Sequence, residues 1–352
     1  MGSLISVPVG PEQVGAGIEI LTIGRVSVDL YAEQTNVDAT GVVSFRKSIG
    51  GTTTNVAVAA ARLGRRAAVC TKVGDDEFGS YVRFALSDTF GVDTRFVSND
   101  PTLKTPLAFV MLDPPEEPRV VFYREPRAPD MNITIGDLDS QVVSAVPIVW
   151  MAACNLAYEP CCTAMHDVLA IRGRSKAAAG AVRHTVLDLD WRPMFWSSPA
   201  EATAAIAPLL DRFSIVIGNR AECEIAVGTS DPDLAIERLL SRGLDAAVVK
   251  LGADGVLVGD RGGIRARVAP IHVEVVSGVG AGDAFGAALC HGLLAGWDLP
   301  TCARFANAAG AIVASRLMCA DDMPTLDEVT ALVMATDPGI VPPAVRVAST
   351  ET

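Results

Sequence analysis

The sequence of 352 residues predicts an α/β protein, a three-layer αβα sandwich with a mostly parallel central sheet and a small β-sheet lid. Three observations predict it. Half of the residues are hydrophobic, enough for a full core in one large or two small domains. Apolar strand-like segments alternate with helix-like ones from about residue 18 to 335, the pattern of a parallel sheet covered by helices. Two stretches, about 30–49 and 105–124, break that rhythm with short alternating strands and no returning helix. A small β-layer inserted in this way would lie over the carboxyl ends of the strands, where such sheets hold ligands.

In chain order, strands are expected at "IEILTIG" (18–24), "AAVCTKVG" (67–74), "PIVWMAA" (147–153), "HTVLDLD" (184–190), "FSIVIG" (213–218) and "AAVVKLG" (246–252), each a mainly apolar run of strand length. Helices are expected to start near Thr53, Glu77, Pro160, Pro199, Glu222, Leu234, Ala281 and Thr301, between or after those runs. The lid is read from "GVVSFRKSI" and from "PLAFVML" with "RVVFYR". One domain is thus expected over 17–335, with flexible termini at 1–16 and 336–352, the latter bearing several prolines. The start "MGSLIS" fits the N-myristoylation pattern, which is short and common, and the first residues lack the basic and apolar regions of a secretory signal.

A formal net charge of −12 argues against nucleic acid or an anionic membrane as partner, since both need a positive field. An anionic small substrate stays open, because a local arginine cluster can override the global balance. The longest apolar run, "AVPIVWMAAC" (145–154), has the length of a strand and not of a membrane span. Eight cysteines without Cys-x-x-Cys or Cys/His spacing, two of them the adjacent Cys161 and Cys162, give neither a disulfide framework nor a zinc site. Reduced thiols in a cytoplasmic protein are expected.

The chemistry concentrates in "VVSGVGAGDAFGAALCHGLL" (275–294), where one carboxylate, Asp283, stands at a glycine-rich turn that enters a helix. A dinucleotide fingerprint would need a third glycine that is missing, and a Walker A loop would need Gly-Lys-Ser/Thr, which the chain lacks. A third reading is an anion cradle with a base: the amides of Gly280, Ala281 and Gly282 converge at a helix N-terminus, and Asp283 takes a proton from an attacking hydroxyl. Asp283 could equally be a first-turn carboxylate stabilised by the helix dipole, an effect of up to about 1 kcal/mol.

Other motifs carry the same two-sided reading. In "GRVSVDL" (24–30) and "GGTTTNVAVAAARLG" (50–64), Asp29 and Asn55 offer the acceptor and donor that a polyol needs, beside a glycine pair that lets backbone approach a ligand. They could also be a turn and a capped helix start. In "GNRAECEIAVG" (218–228), Asn219 and Glu222 have capping-box spacing, and Glu222 could otherwise stand near a hydrated Mg²⁺. "VVKLGADGVLV" (248–258) reads as strand, glycine turn and strand, suited to nucleotide contact through Gly252 and Gly255.

In this order the motifs resemble the PfkB, or ribokinase-like, family of carbohydrate kinases, from about residue 18 to 330. The shared features are the early glycine pair with Asn55, "VGDDEFG" (73–79), Asn219-x-x-Glu222, "KLGADG" (250–255) and "GAGDAFGAAL" (280–289). The resemblance implies a ribokinase-like fold using ATP and Mg²⁺, with Asp283 as base and Gly280, Ala281 and Gly282 as its anion hole. It implies substrate contacts at Asp29, Gly51 and Asn55, a phosphate and magnesium motif at Asn219 and Glu222, ATP contacts at Lys250, Gly252 and Gly255, and Asn307 beside the adenine. It also implies a possible homodimer through the lid. Two departures stand out. Ser277 and Gly278 occupy the places of the family's usual Asp-Thr, which leaves a K⁺ requirement open, and Thr53 replaces the small residue that often follows the glycine pair.

Within the family, Arg25, "FYREPRAPD" (122–130), "DLDWRPMFW" (188–196) and "ADDMPT" (320–325) resemble the kinases of inositol catabolism that act on 5-dehydro-2-deoxygluconate. The 2-keto-3-deoxygluconate kinases share some of these features. Both substrates are sugar acids, and a carboxylate calls for a bidentate guanidinium. Arg124 at the end of the lid strand is the expected contact, helped by Arg25, with Arg192 serving the substrate or the ATP phosphates; each could also be a solvated surface charge. The implied reaction is phosphorylation of the C6 hydroxyl. A neutral-sugar or nucleoside kinase remains an alternative, as does a non-catalytic sugar-acid sensor, which would not need Asp283 and its glycines.

Overall fold

In the computed structural model, residues 17–114, 118–173 and 182–337 are described. The myristoylation pattern and nearly all of both expected flexible termini therefore lie outside the described residues. The chain starts with β1 (Ile20–Ile23), β2 (Ser27–Thr35) and β3 (Phe45–Gly50), then α1 (Thr52–Arg62), β4 (Ala67–Gly74), α2 (Glu77–Phe84) and β5 (Val97–Asp100). The hairpin of β6 (Leu107–Leu112) and β7 (Arg119–Tyr123) precedes α3 (Ser140–Ala145), β8 (Ile148–Ala152), α4 (Cys161–Arg172), β9 (His184–Asp188) and α5 (Pro199–Ile206). The remainder comprises β10 (Ile215–Asn219), α6 (Arg220–Val227), α7 (Pro232–Ser241), β11 (Ala246–Lys250), β12 (Val256–Asp260) and β13 (Arg265–Val268), then α8 (Ala281–Ala295), α9 (Leu299–Ala314) and α10 (Leu326–Thr336).

Nine strands form one sheet in the order β13-β12-β11-β10-β9-β8-β1-β4-β5, parallel from β11 to β5 and antiparallel at β12 and β13. The central strands are mainly apolar because both faces are covered, and successive residues alternate between two cores. Ile20 packs with α1, α8 and α9 on one face, while its neighbour Leu21 packs with α4 to α7 on the other. Between β1 and β8 the chain changes direction across the sheet, and parallel sheets of this kind bind ligands at that point, beyond the carboxyl ends of the strands. Arg25 follows β1 there, Cys154 follows β8, and Asp188, Asn219 and Lys250 close β9, β10 and β11.

A second sheet, β3-β2-β6-β7, stands over those ends. Its registers pair Asp29 with Ser48 and Ala108, and Ala108 with Phe122, so these side chains share the face turned to the sheet ends. On the opposite face, Phe45, Phe109 and Tyr123 stack edge to face.

Several helices start earlier than their apolar pattern does, because capping residues and proline set the first turn. Asp231 caps α7 ahead of Pro232, and Asp298 caps α9 ahead of Leu299. Among the described residues no helix is long and apolar enough to cross a membrane, and the cysteines are free.

Candidate active site

Lid and sheet ends enclose a cleft of about 320 Å³. Asp283 lies in it, in the first turn of α8. The helix starts from Gly280 at φ +85°, where a Cβ would sit 2.8 Å from the Cys319 sulfur, so glycine is required both for the turn and for the packing. The amides of Asp283 and Ala284 bond back to the Gly280 carbonyl at 3.1 and 3.0 Å, whereas those of Gly280, Ala281 and Gly282 meet no acceptor among the described residues. Three free N–H groups at a helix N-terminus form an anion cradle.

Asp283 Oδ2 accepts a 2.7 Å hydrogen bond from Asn55 Nδ2. Burial pushes the Asp283 pKa up to about 7; Asn55 opposes this, the nearby Asp190 and Asp188 add to it, and Arg192 opposes it. Asn55 Oδ1 is buried and without a partner among the described residues. Asp29, on β2, accepts from Ser27 Oγ at 2.6 Å and is pushed up to about 6 by burial. The glycine pair makes this corner possible. A Cβ at Gly50 would lie 1.9 Å from the Asp29 carboxylate, and one at Gly51, which has φ +100°, 2.5 Å from the Arg25 carbonyl oxygen.

The three arginines expected to contact substrate separate. Arg192 lines the cleft with its side chain 49% exposed, and its Nε donates to Asp190 Oδ1 at 2.8 Å. Arg25 also lines it but is buried, its Nη2 donating to Asp190 Oδ2 at 2.6 Å and Thr52 Oγ1 at 2.7 Å. Arg124 does not line the cleft. It is buried behind it, paired with Asp130 and the Val26 carbonyl, because the chain turns back after β7 and brings Asp130 under the guanidinium. Asp130 Oδ2 also accepts the Val26 amide at 2.8 Å, so this pair secures the start of the lid.

Asn219 and Glu222 form the reciprocal capping box of α6: Glu222 N–H donates to Asn219 Oδ1 at 2.9 Å and Asn219 N–H to Glu222 Oε2 at 2.7 Å. Glu222 also lines the cleft, together with Lys250 and Asp188; Asn219 is exposed and does not. Lys250 Nζ lies 3.8 Å from Asp188 Oδ1. Burial opposes the lysine's charge, but Asp188, Glu222, Asp283 and Asp190 outweigh it and raise the pKa.

Gly252, Gly255 and Asn307 line a second hollow of about 410 Å³, which adjoins the cleft at Lys250 and Gly282. Val256, Ile271, Val273, Phe285 and Ala311 make its wall mainly apolar. Asn307 Nδ2 is held by the Ala269 carbonyl at 2.8 Å. A polar cleft thus meets an apolar hollow at the cradle before Asp283, an arrangement that can hold a polyhydroxylated molecule on one side and a flat apolar one on the other.

Sequence reading took Arg192 from "DLDWRPMFW" and passed over Asp188 and Asp190, which the structure places in the cleft wall. Two aspartates at the carboxyl end of a strand were the available signal. Thr52 and Cys319 also line the cleft and were missed. Neither has a residue type that marks it.

The model of the pfkB family carbohydrate kinases matches residues 18–326. A 5-dehydro-2-deoxygluconokinase of Shouchella clausii is 31% identical over 324 residues, 91% of this chain and 97% of that protein. A sugar kinase from Pyrococcus horikoshii, solved in complex with ATP, is similar with a TM-score of 0.72 and 27% identity, covering 88% of this chain and 96% of that one. The structure of a candidate ribokinase II from E. coli in complex with ATP and magnesium has a TM-score of 0.80 at 22% identity, covering 90% of this chain and 99% of that one, and shows the same fold.

Proposed function

Because the chain belongs to the PfkB family of carbohydrate kinases, we propose that it transfers the γ-phosphoryl group of ATP to the C6 hydroxyl of 5-dehydro-2-deoxygluconate, in myo-inositol catabolism. One observation carries the transfer: Asp283 stands beside three unpartnered amides where a polar cleft meets an apolar hollow. The substrate class is supported by the likeness to the 5-dehydro-2-deoxygluconokinase of Shouchella clausii and by Arg192, the half-exposed arginine of the cleft.

The sugar acid would occupy the cleft against Asp29, Asn55 and Arg192, with Asn55 Oδ1 accepting from a hydroxyl. The nucleotide base would use the apolar hollow near Asn307, and the phosphates the junction of Gly252, Gly255 and Lys250. Asp283 is the only carboxylate in the first turn of α8, and it would take the proton of the attacking hydroxyl. The amides of Gly280, Ala281 and Gly282, with Lys250, would stabilise the charge that spreads over the phosphoryl oxygens. Val110, Val120 and Phe122 of the lid line the cleft and would keep water from competing with the sugar hydroxyl.

Among the described residues no group of three or more His, Cys, Asp or Glu is placed to hold a metal. A magnesium ion would suit this site if held by phosphates and its own waters, with Glu222 and Asp188 as outer partners; its chemistry would be neutralisation of phosphate charge. The Ser277-Gly278 replacement gives no support to a K⁺ requirement.

The test is ADP release over 5-dehydro-2-deoxygluconate, 2-keto-3-deoxygluconate, fructose, ribose and adenosine. The highest kcat/KM is expected on 5-dehydro-2-deoxygluconate. Preference for 2-keto-3-deoxygluconate would overturn the named substrate, preference for a neutral sugar or adenosine the acid class, and no ADP release with any of them would favour a sensor.

A further inference from the structure

We propose that Asp190 is a positioning residue that turns Arg192 into a receptor for the substrate's carboxylate; this rests on the sugar-acid reading above. Asp190 lies two residues past β9 with its side chain 2% exposed and its backbone at φ +24°. Positive φ is uncommon outside glycine, least so for Asp and Asn, and it is held where neighbours impose it. Here they do. Oδ2 accepts from Arg25 Nη2 at 2.6 Å, from Thr52 Oγ1 at 3.1 Å and from the Cys154 thiol at 3.1 Å, while the Asp190 amide donates to Asp188 Oδ1 at 3.2 Å. The carboxylate is thus fixed from one side, and Oδ1 remains to accept Arg192 Nε at 2.8 Å.

This geometry selects how Arg192 can act. A guanidinium bound through Nε keeps its paired Nη edge available, and that edge matches a carboxylate bidentately. No described residue takes an Nη atom of Arg192. The other cations of the cleft are engaged: Arg25 by Asp190 and Thr52, and Lys250 by Asp188 at 3.8 Å. Asp29, Asp188, Asp190, Glu222 and Asp283 make the remaining wall acidic. Away from the phosphate junction at Lys250, an anionic substrate would be repelled there except at Arg192. Without Asp190, Arg192 would be a long, half-exposed side chain free to leave the wall, and its attraction would no longer be directional.

The experiment compares wild type, Asp190→Asn, Arg192→Lys and the double variant on 5-dehydro-2-deoxygluconate and on its carboxamide, which lacks only the charge. Asparagine is nearly isosteric and tolerates positive φ. Each single variant should raise KM for the acid about tenfold or more and KM for the carboxamide less than about threefold, with kcat moving less than about threefold on either. The double variant should lose little more than either single one, since both remove the same interaction. Equal loss on acid and carboxamide, or additive losses, would overturn the proposal. Should Asp190→Asn fail to fold by circular dichroism, Arg192→Lys decides alone: an unaltered KM for the acid overturns it. Wild type that phosphorylates no sugar acid would instead defeat the underlying reading of the substrate class.

Discussion

At the scale of single residues, the proposed role of Asp283 carries a pH dependence. Its pKa, moved by burial from 3.8 to about 7, means that the native protein keeps a proton that the unfolded chain releases between those values. Stability from this group is full below about pH 4 and declines as pH rises to about 7, where the ionised carboxylate is desolvated beside Asp190 and Asp188. Asp283→Asn should therefore be more stable than wild type at pH 8 by of order 1–3 kcal/mol in urea denaturation, the difference vanishing near pH 4. As the proposed base, Asp283 would have to be ionised to act, so kcat/KM should fall on the acid side of about pH 7. Arg192→Gln should move that limb upward, because Arg192 opposes the shift. These residues differed in how readable they were. The spacing of "GAGDAF" marked Asp283, but a buried hub such as Asp190 is made by donors from residues 25, 52, 154 and 192, which no local pattern joins.

At the scale of elements, the lid is anchored by a pair, Arg124 with Asp130, of which sequence reading assigned the arginine to the substrate. Arg124 follows a lid strand directly, and an arginine there would have faced the ligand had the strand continued. The chain instead folds back, and Arg124 and Asp130 bury each other, with side-chain exposures of 5% and 0%. Removing one member of a buried pair leaves the other charged and unpaired. Arg124→Ala should therefore destabilise the protein by about 3–5 kcal/mol in chemical denaturation. At a temperature where the variant is folded, its KM for a sugar acid should rise no more than for the carboxamide. A selective rise on the acid would return Arg124 to the substrate. Strands such as 67–74 were legible to the residue because a sheet covered on both faces demands mainly apolar runs, here AAVC and Val73 around Thr71 and Lys72. The short edge strands β5 and β13 were not singled out, since four residues at a sheet margin carry little pattern.

At the scale of the whole molecule, the alternation of strands and helices was enough to give the layers. The order of the strands, with β8 returning beside β1, is a long-range fact. That order is what collects Arg25, Asp188, Asp190, Lys250 and Asp283 from across the chain at one edge of the sheet, under the lid. Fold and chemistry meet in a single claim, that this edge is a phosphoryl-transfer site with Asp283 as its base. The measurement that tests it most directly is turnover of 5-dehydro-2-deoxygluconate by Asp283→Asn, alongside the affinity of the same variant for ATP. The expected result is a fall in kcat of about a hundredfold or more with ATP affinity within about threefold of wild type. Near-normal turnover in that variant would contradict the account.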